Sequence, residues 1–504
     1  MIELAGALRA DLTAAGYTAS ALPGLWGPAP DAALRRGSTV AAARALDAGS
    51  GRGTALAALA ALFVLGRPLP VAEVAAALPT LGIAGAVELG LVEAPGDTVL
   101  SAVELRPHEL MDSDGVTEWW IVSDPGEAMT GRPLREDHVL GVGGASRTLL
   151  GLQLPRRVRT VLDLGTGCGI QALRAARWAD RVVATDISER ALRYARLNAA
   201  VNGVSTIDFR LGSLFEPVAG ERFDRIVSNP PFVITPRHDG IPAYEYRDGG
   251  LEGDALVEAV MRGAAGHLAP GGVAQLLANW EDRRERDGID RVAGWADAAG
   301  VEIWAVERDV QDPVQYAETW IRDGGILPGT PDFDVLLRAW LDDFLGRGVH
   351  AVGFGFVTLR RPRRGRAALR RLERLHGPAG VSPGGLGEHL AACLDAVDWL
   401  TDRDDAAVLA AHLVAAPDVT EERHYWPGDE HPAAMRLKQG GGFARELPLD
   451  PALAGLVGTC DGELSVGAIV RALATLLEVD ETALAAELLP QVRELVATGF
   501  LLPA

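Results

Sequence analysis

Val161-Leu-Asp-Leu-Gly-Thr-Gly-Cys-Gly169 is the stretch on which the reading of this 504-residue chain turns. An apolar run breaks into spaced glycines and is followed at once by a helical pattern, QALRAARWA. A short apolar run of this kind predicts a strand buried on both faces. Glycines at 165, 167 and 169 remove side chains where the chain turns sharply and where backbone must approach a ligand. The start of the following helix offers free N–H groups to an anionic group. The spacing is D-x-G-x-G-x-G, whereas a dinucleotide fingerprint is G-x-G-x-x-G. Asp186 ends the next strand-like run, RVVATDIS, one strand–helix–strand step after Asp163. A carboxylate there can accept both hydroxyls of a ribose.

Outward from this stretch, seven strand-like runs follow one another: VRTVLDLGTG, RVVATDIS, TIDFRLGS, FDRIVSNPP, GGVAQLLANW, VEIWAVERD and AVGFGFVTLRR. Helical patterns such as SERALRYARLNAAVNG and DALVEAVMRGAAGHL lie between the earlier ones. This alternation predicts an α/β fold with a mainly parallel, doubly wound sheet. The last two runs flank a longer insertion and suit an antiparallel edge pair. Three regions result: 1–105, helical and winged-helix-like; 106–362, the α/β domain; and 363–504, an Arg-rich connector with a second winged-helix-like domain. The last region is expected to end helix–helix–helix–strand, over SVGAIVRALATLLEVDETALAAELLPQVRELVATGFLLP.

Phe223-Asp-Arg-Ile-Val-Ser-Asn-Pro-Pro-Phe232 is the most specific run. It places Asn229, Pro230, Pro231 and Phe232 at the carboxyl edge of the sheet, where open α/β folds hold their ligands. The prolines fix φ and remove two backbone donors, which leaves carbonyls free to accept. Together the two motifs resemble class I S-adenosylmethionine-dependent methyltransferases of the Asn-Pro-Pro-aromatic type, with a Rossmann-like seven-stranded sheet. The resemblance spans about 106–362. It implies S-adenosylmethionine as cofactor, with Asp163, Gly165, Thr166, Gly167 and Gly169 holding its methionine end. It implies Asp186 and Ile187 at the ribose side. Ser213, in Leu211-Gly-Ser-Leu-Phe215, stands where the family often has an acid for the adenine amino group. It further implies that the Asn229 side-chain oxygen and the Pro230 carbonyl accept hydrogen bonds from a substrate NH2, with Phe232 stacked on the flat group.

Tyr244-Glu-Tyr-Arg-Asp-Gly-Gly-Leu-Glu-Gly-Asp254 is similar to a segment of release-factor glutamine methyltransferases; ribosomal RNA guanine and N6-adenine methyltransferases are nearly as close in motif. Tyr244, Tyr246 and Arg247 are candidates for the acceptor pocket, with a solvated loop as the alternative. Glu136 to Thr148, EDHVLGVGGASRT, sits where such enzymes place a segment that covers the cofactor. Eight arginines between Arg360 and Arg374 form the one strong basic run. They suit either phosphate contacts or a solvated helix face. His424, Tyr425, Trp426 and His431 cluster without metal-site spacing and are expected to serve packing, and no metal is assigned. LVGTCDGELSVGAIVRALA is similar to small peptide-binding winged-helix modules of tailoring enzymes.

Composition sets the limits. Nearly half the residues are hydrophobic (48%) and 23% are charged, which suits a soluble protein with sizeable cores. A net charge of −20 excludes general affinity for nucleic acid, so such binding needs a local basic patch. Lys438 is the only lysine. Cys168, Cys393 and Cys460 are odd in number and far apart, which fits a reducing cytoplasm rather than a disulfide framework. The N-terminal MIELAGALRADL reads as an amphipathic helix, not a signal peptide, and Leu56–Val64 is too short to span a membrane. The expected function is N-methylation of a macromolecule, with a nucleobase amine in RNA or DNA slightly ahead of a protein glutamine. Peptide tailoring through the C-terminal module and a cofactor-sensing protein are the alternatives. No pattern sets the oligomeric state.

Overall fold

A computed structural model describes residues 1–49, 53–132, 134–237, 245–363, 369–381 and 384–504. The chain divides into two compact units: 1–150 with 157–363 and 371–373, and 151–156 with 364–370 and 374–504.

The first unit is built on a sheet. Its strands are β1 (Val158–Leu164), β2 (Ala179–Asp186), β3 (Ile207–Leu211), β4 (Phe223–Ser228), β5 (Leu268–Arg283), β6 (Glu302–Gln311), β7 (Val349–Arg360) and β8 (Arg370–Arg374). Their order is β8-β6-β7-β5-β4-β1-β2-β3. β1 to β5 run parallel to one another, while β7 runs antiparallel between β5 and β6. All seven expected strands are present in a doubly wound α/β arrangement. Val161, Leu162, Ile226 and Val227 are fully buried, as strands covered on both faces require.

The arginine run differs from its helical reading. Arg370–Arg374 is an eighth strand beside β6. It covers an edge that would otherwise leave backbone groups unpaired. Glu373 accepts the indole N–H of Trp304 at 2.7 Å, and Arg360 pairs with Glu302. Arg364 and Arg366 lie outside the described residues.

Helices α1 (Ile170–Ala175), α2 (Glu189–Val201), α3 (Ala255–His267) and α4 (Gly288–Ala299) cover the sheet; α5 (Pro313–Asp323) and α6 (Pro331–Gly346) fill the insertion between β6 and β7. The region before residue 105 does not close its own core. Leu8, Leu12 and Leu59 share one buried cluster with Tyr194, Leu197 and Val201 of α2. Within that region, helices Ala55–Phe63, Val71–Ala77 and Gly82–Glu88 precede the short strands Val92–Glu93 and Thr98–Ser101.

A hairpin, Glu104–Asp112 with Gly115–Ser123, then docks on α2 through two asparagines one turn apart. Asn198 accepts from Val122 N at 2.8 Å and donates to Val122 O at 2.9 Å and Cys168 O at 2.8 Å. Asn202 makes the same pair of bonds with Trp120, at 3.0 and 2.8 Å. The two side-chain amides thus replace a neighbouring strand on that edge.

The second unit holds two three-stranded sheets, His412–Ala415 with Asp461–Ser465 and Leu501–Pro503, and Val419–His424 with Ala434–Gln439 and Glu446–Leu449. Its end is helix–helix–strand rather than the expected three helices. Pro490 sits inside Glu481–Ala497 without ending it. Tyr425 and Trp426 are exposed, as are His424 and His431, so the expected packing role is not what the structure places there. No metal-binding group of His, Cys, Asp or Glu occurs among the described residues, and no single helix there is long and apolar enough to cross a membrane.

Asn198→Ala would leave three buried backbone groups without partners. It is expected to cost about 2–4 kcal/mol, seen as a lower urea midpoint by tryptophan fluorescence.

Candidate functional site

The glycine loop leaves β1 at Leu164. Gly165 N and Thr166 N each donate to Thr185 O of β2 at 2.9 Å. Gly165, Gly167 and Gly169 all have positive φ, at 72°, 55° and 87°. Their surroundings differ. A Cβ on Gly165 or Gly167 meets nothing within 4 Å, whereas one on Gly169 lies 3.0 Å from Ala195 Cβ of α2. The first two glycines keep a cavity open and the third lets α1 and α2 approach. Below the loop, Asp163 is fully buried and accepts the Thr166 hydroxyl at 2.6 Å. Its other oxygen has no partner. Burial pushes its carboxyl from an ordinary 3.8 up to about 7.

Asp186 ends β2 beside the loop. One oxygen accepts Gly167 N at 2.8 Å and the other Ser188 N at 2.9 Å, while burial raises its pKa. Each oxygen keeps a second lone pair for a ligand hydroxyl. Ile187 follows with 69% exposure, an apolar surface at the cavity. Ser213 and Leu214 also line the cavity, Leu214 in a left-handed conformation at φ 45°.

Asn229, Pro230 and Pro231 face the same cavity. Ser228 Oγ donates to Leu164 O at 2.9 Å, which ties the end of β4 to that of β1. The Asn229 side-chain oxygen is buried and has no hydrogen-bond partner. Phe232 is not among the lining residues. It bridges to Asp248 and packs between the core under the sheet and the aromatic cluster of α5 and α6. The next residues are anchored firmly: Val233 N donates to Arg247 O at 2.8 Å, and Ile234 N to the Tyr316 hydroxyl at 3.0 Å. Tyr316 is fully buried among Trp320, Trp340, Phe344 and Phe354.

Of the acceptor candidates, Tyr246 lines the cavity and Tyr244 lies outside the described residues. Arg247 is buried with its guanidinium on Trp320 O at 2.8 Å and Asp323 at 2.6 Å. It holds the loop against α5 and does not face the cavity.

The 136–148 segment covers the site, with His138 to Gly141 and Ser146 in the lining. Glu245 N donates to Glu136 O at 3.0 Å, and Gln171 Nε2 to Ser146 O at 2.8 Å. Asp124, which no sequence pattern marks, is the main tether. It accepts Val139 N and the Tyr194 hydroxyl at 2.8 Å each, and it pairs with Arg190.

The cavity is about 530 Å³, within the range of small-molecule sites. Open space over two glycines, free lone pairs on Asp186, an apolar Ile187 and the orphaned Asn229 oxygen together fit a nucleoside sulfonium. Cys168 also lines it, but burial pushes its thiol up to about 11, so it stays protonated.

Comparison with known proteins agrees. Residues 141–291 match a family model described as Methyltransferase small domain. Residues 14–102 and 391–503 match two domains of unknown function (DUF7059 and DUF7782). A release factor glutamine methyltransferase from Xylella fastidiosa is 40% identical over 131 residues, 24% of this chain and 48% of the relative. A ribosomal protein uL3 glutamine methyltransferase from Bradyrhizobium diazoefficiens is 34% identical over 149 residues, 28% of this chain and 46% of the relative. A ribosomal RNA small subunit methyltransferase C from Klebsiella pneumoniae is 36% identical over 141 residues, 28% of this chain and 36% of the relative. The chain thus spans about half or less of the length of these curated relatives. The methyltransferase expectation is borne out for the sheet domain, with S-adenosylmethionine as its cofactor.

Gly165→Ala and Gly169→Ala each incur about 1–2 kcal/mol of left-handed strain. Gly169→Ala adds a clash with Ala195 and melts lower, while Gly165→Ala loses cofactor affinity out of proportion to its stability, as calorimetry and thermal melts would show. Asp163 binds its proton more tightly folded than unfolded, so its contribution to stability falls as pH rises from about 4 to about 7. Asp163→Asn should flatten that part of the stability–pH curve.

Proposed function

We propose that this protein transfers a methyl group from S-adenosylmethionine to a planar, weakly nucleophilic nitrogen, and that the acceptor is the side-chain amide of a glutamine in a protein. The observation that carries the first half is the Asn229 oxygen, a buried acceptor without a donor on a residue that lines the cavity. Leaving such an atom unpaired costs about 1–3 kcal/mol, so a ligand N–H is its natural partner. The Pro230 and Pro231 nitrogens carry no hydrogen, so the turn presents acceptors only.

An amide nitrogen is a poor nucleophile because its lone pair is delocalised. An acceptor that holds one of its hydrogens favours the pyramidal transition state over the flat ground state. The cofactor supplies an electrophilic methyl group. Positioning of the nitrogen in line with it is the remaining requirement. Tyr246, in the lining, takes the place beside the flat acceptor that the motif suggested for Phe232.

Charge favours glutamine over a nucleobase. The described ionisable residues lining the cavity are His138, Cys168, Asp186, Glu245, Tyr246 and Asp248, with no arginine or lysine among them. A nucleotide acceptor brings phosphates, which such a wall repels. The glutamine methyltransferases among the relatives support the same choice. A nucleobase amine is the second reading, favoured by the Arg360–Arg374 run and by the ribosomal RNA relative.

Incubation with methyl-labelled cofactor and cell extract, followed by nuclease or protease, separates the two. Label is expected in protease-sensitive material; label lost to nuclease would establish the nucleobase reading instead. Asn229→Ala is expected to lower kcat by about 10²–10³-fold while cofactor binding by calorimetry is retained. Full activity in that variant would refute the role of Asn229.

A further inference from the structure

We infer that His138 is the group that takes up the proton released when the acceptor nitrogen is methylated, an inference that rests on the N-methylation proposed above. The step needs such a group. The nitrogen lone pair forms the new N–C bond, the C–S bond breaks with its electron pair going to sulfur, and the sulfonium becomes a neutral thioether. The methylated nitrogen then carries one proton too many. That proton leaves inside a pocket only partly open to solvent, where a basic side chain in the lining is the nearest group to receive it.

The geometry narrows the candidates. Among the described ionisable groups in the lining, Cys168 is a buried thiol that stays protonated. Asp186 holds the backbone N–H groups of Gly167 and Ser188, and its remaining lone pairs are those assigned above to the cofactor's hydroxyls. Asp248 is bound by the Arg237 guanidinium. Glu245 is exposed at the rim. Tyr246 donates its hydroxyl to Asp323 at 3.0 Å. His138 differs from all of these. It is 5% exposed, it lines the cavity, and its ring forms an edge contact with Tyr246 at 6.0 Å between centroids. The flat acceptor group placed beside Tyr246 therefore lies beside this imidazole as well.

The charged groups around the ring suit an acceptor that begins neutral. Burial lowers its pKa below the ordinary 6.5, Arg190 acts in the same direction, and Asp124, Glu104 and Asp137 oppose them. The imidazole is therefore uncharged at neutral pH and free to accept. Asp124 is a positioning residue. Its bonds to Val139 N, Tyr194 and Arg190 fix the backbone one residue beyond His138 to the helix that follows Asp186. Its negative charge also favours the imidazolium once the proton arrives.

The test uses the full chain with His138→Gln and His138→Ala. Both are expected to bind cofactor as the wild type does by calorimetry, to leave KM little changed, and to lower kcat by about 10²–10⁴-fold. Wild-type kcat should fall on the acid side, below pH 6.5, as the imidazole becomes protonated. His138→Gln should lack that limb, and added imidazole should restore turnover to His138→Ala. A His138→Gln enzyme with wild-type kcat and an unchanged acid limb would overturn the proposal. A second readout does not depend on turnover. In 15N-histidine-labelled protein, the ring signal missing from His138→Gln should titrate below the ordinary value and shift when S-adenosylhomocysteine is added. A ring signal indifferent to that ligand would also overturn it. If the wild type instead methylated oxygen or carbon, the functional reading would fail, and the ring titration would still judge His138 by itself.

Discussion

The side-by-side pairing of β1 with β4 is the constraint on which the site depends. The chain lays down β1, β2 and β3 in one direction and then returns to place β4 on the free side of β1. Leu164 and Ser228 stand level in that pairing. The two loops that leave these residues must part, one towards α1 and the other towards α3, and a crevice opens between them. The glycine loop forms one wall and the Asn-Pro-Pro turn the other. The Ser228 hydroxyl on Leu164 O fixes their separation at the point of divergence.

Neither wall supports itself. The Asn-Pro-Pro turn carries no backbone donor at its two prolines, so it is held through the residues just beyond it. Ile234 N reaches the buried Tyr316 hydroxyl, and Arg247 clamps the returning loop onto α5. The insertion between β6 and β7 thus serves the site from behind, through an aromatic cluster. On the other wall the 136–148 cover is held by Asp124 to α2, and α2 in turn holds the hairpin through Asn198 and Asn202. Rigid positioning at the cavity is the sum of these outer bonds, which is what catalysis by orientation demands.

The sheet was largely legible because its strands carry two kinds of local signal together. Apolar runs mark buried strands, and D-x-G-x-G-x-G and Asn-Pro-Pro-Phe fall at strand ends where a crevice must be. Gly165, Gly167, Asp186, Ile187, Ser213 and Asn229 meet at one cavity, as their motifs imply. What escaped depends on tertiary contact. Arg247 looks like a ligand residue in its Tyr-Arg-Asp setting, yet its partners, Trp320 and Asp323, are distant in sequence. Phe232 packs, half-buried, against two hydrophobic clusters, where a large apolar ring gains more than by facing a cavity. Arg190 and Tyr194 lie one helical turn apart, but nothing local ties that pair to Asp124, some 66 and 70 residues earlier in the chain. Arg370–Arg374 is a strand because β6 needs an edge partner, a demand made by the sheet and invisible in a run of arginines.

The central claim is that the buried oxygen of Asn229 selects a flat nitrogen. Locating the transferred group is its most direct test. The product made with deuterium-labelled methyl donor can be digested and its fragments sequenced by tandem mass spectrometry. The label is predicted on a side-chain amide nitrogen of glutamine, and strongly reduced when Asn229→Ala protein is used. Label on a carboxyl oxygen, a hydroxyl or a carbon atom would contradict it.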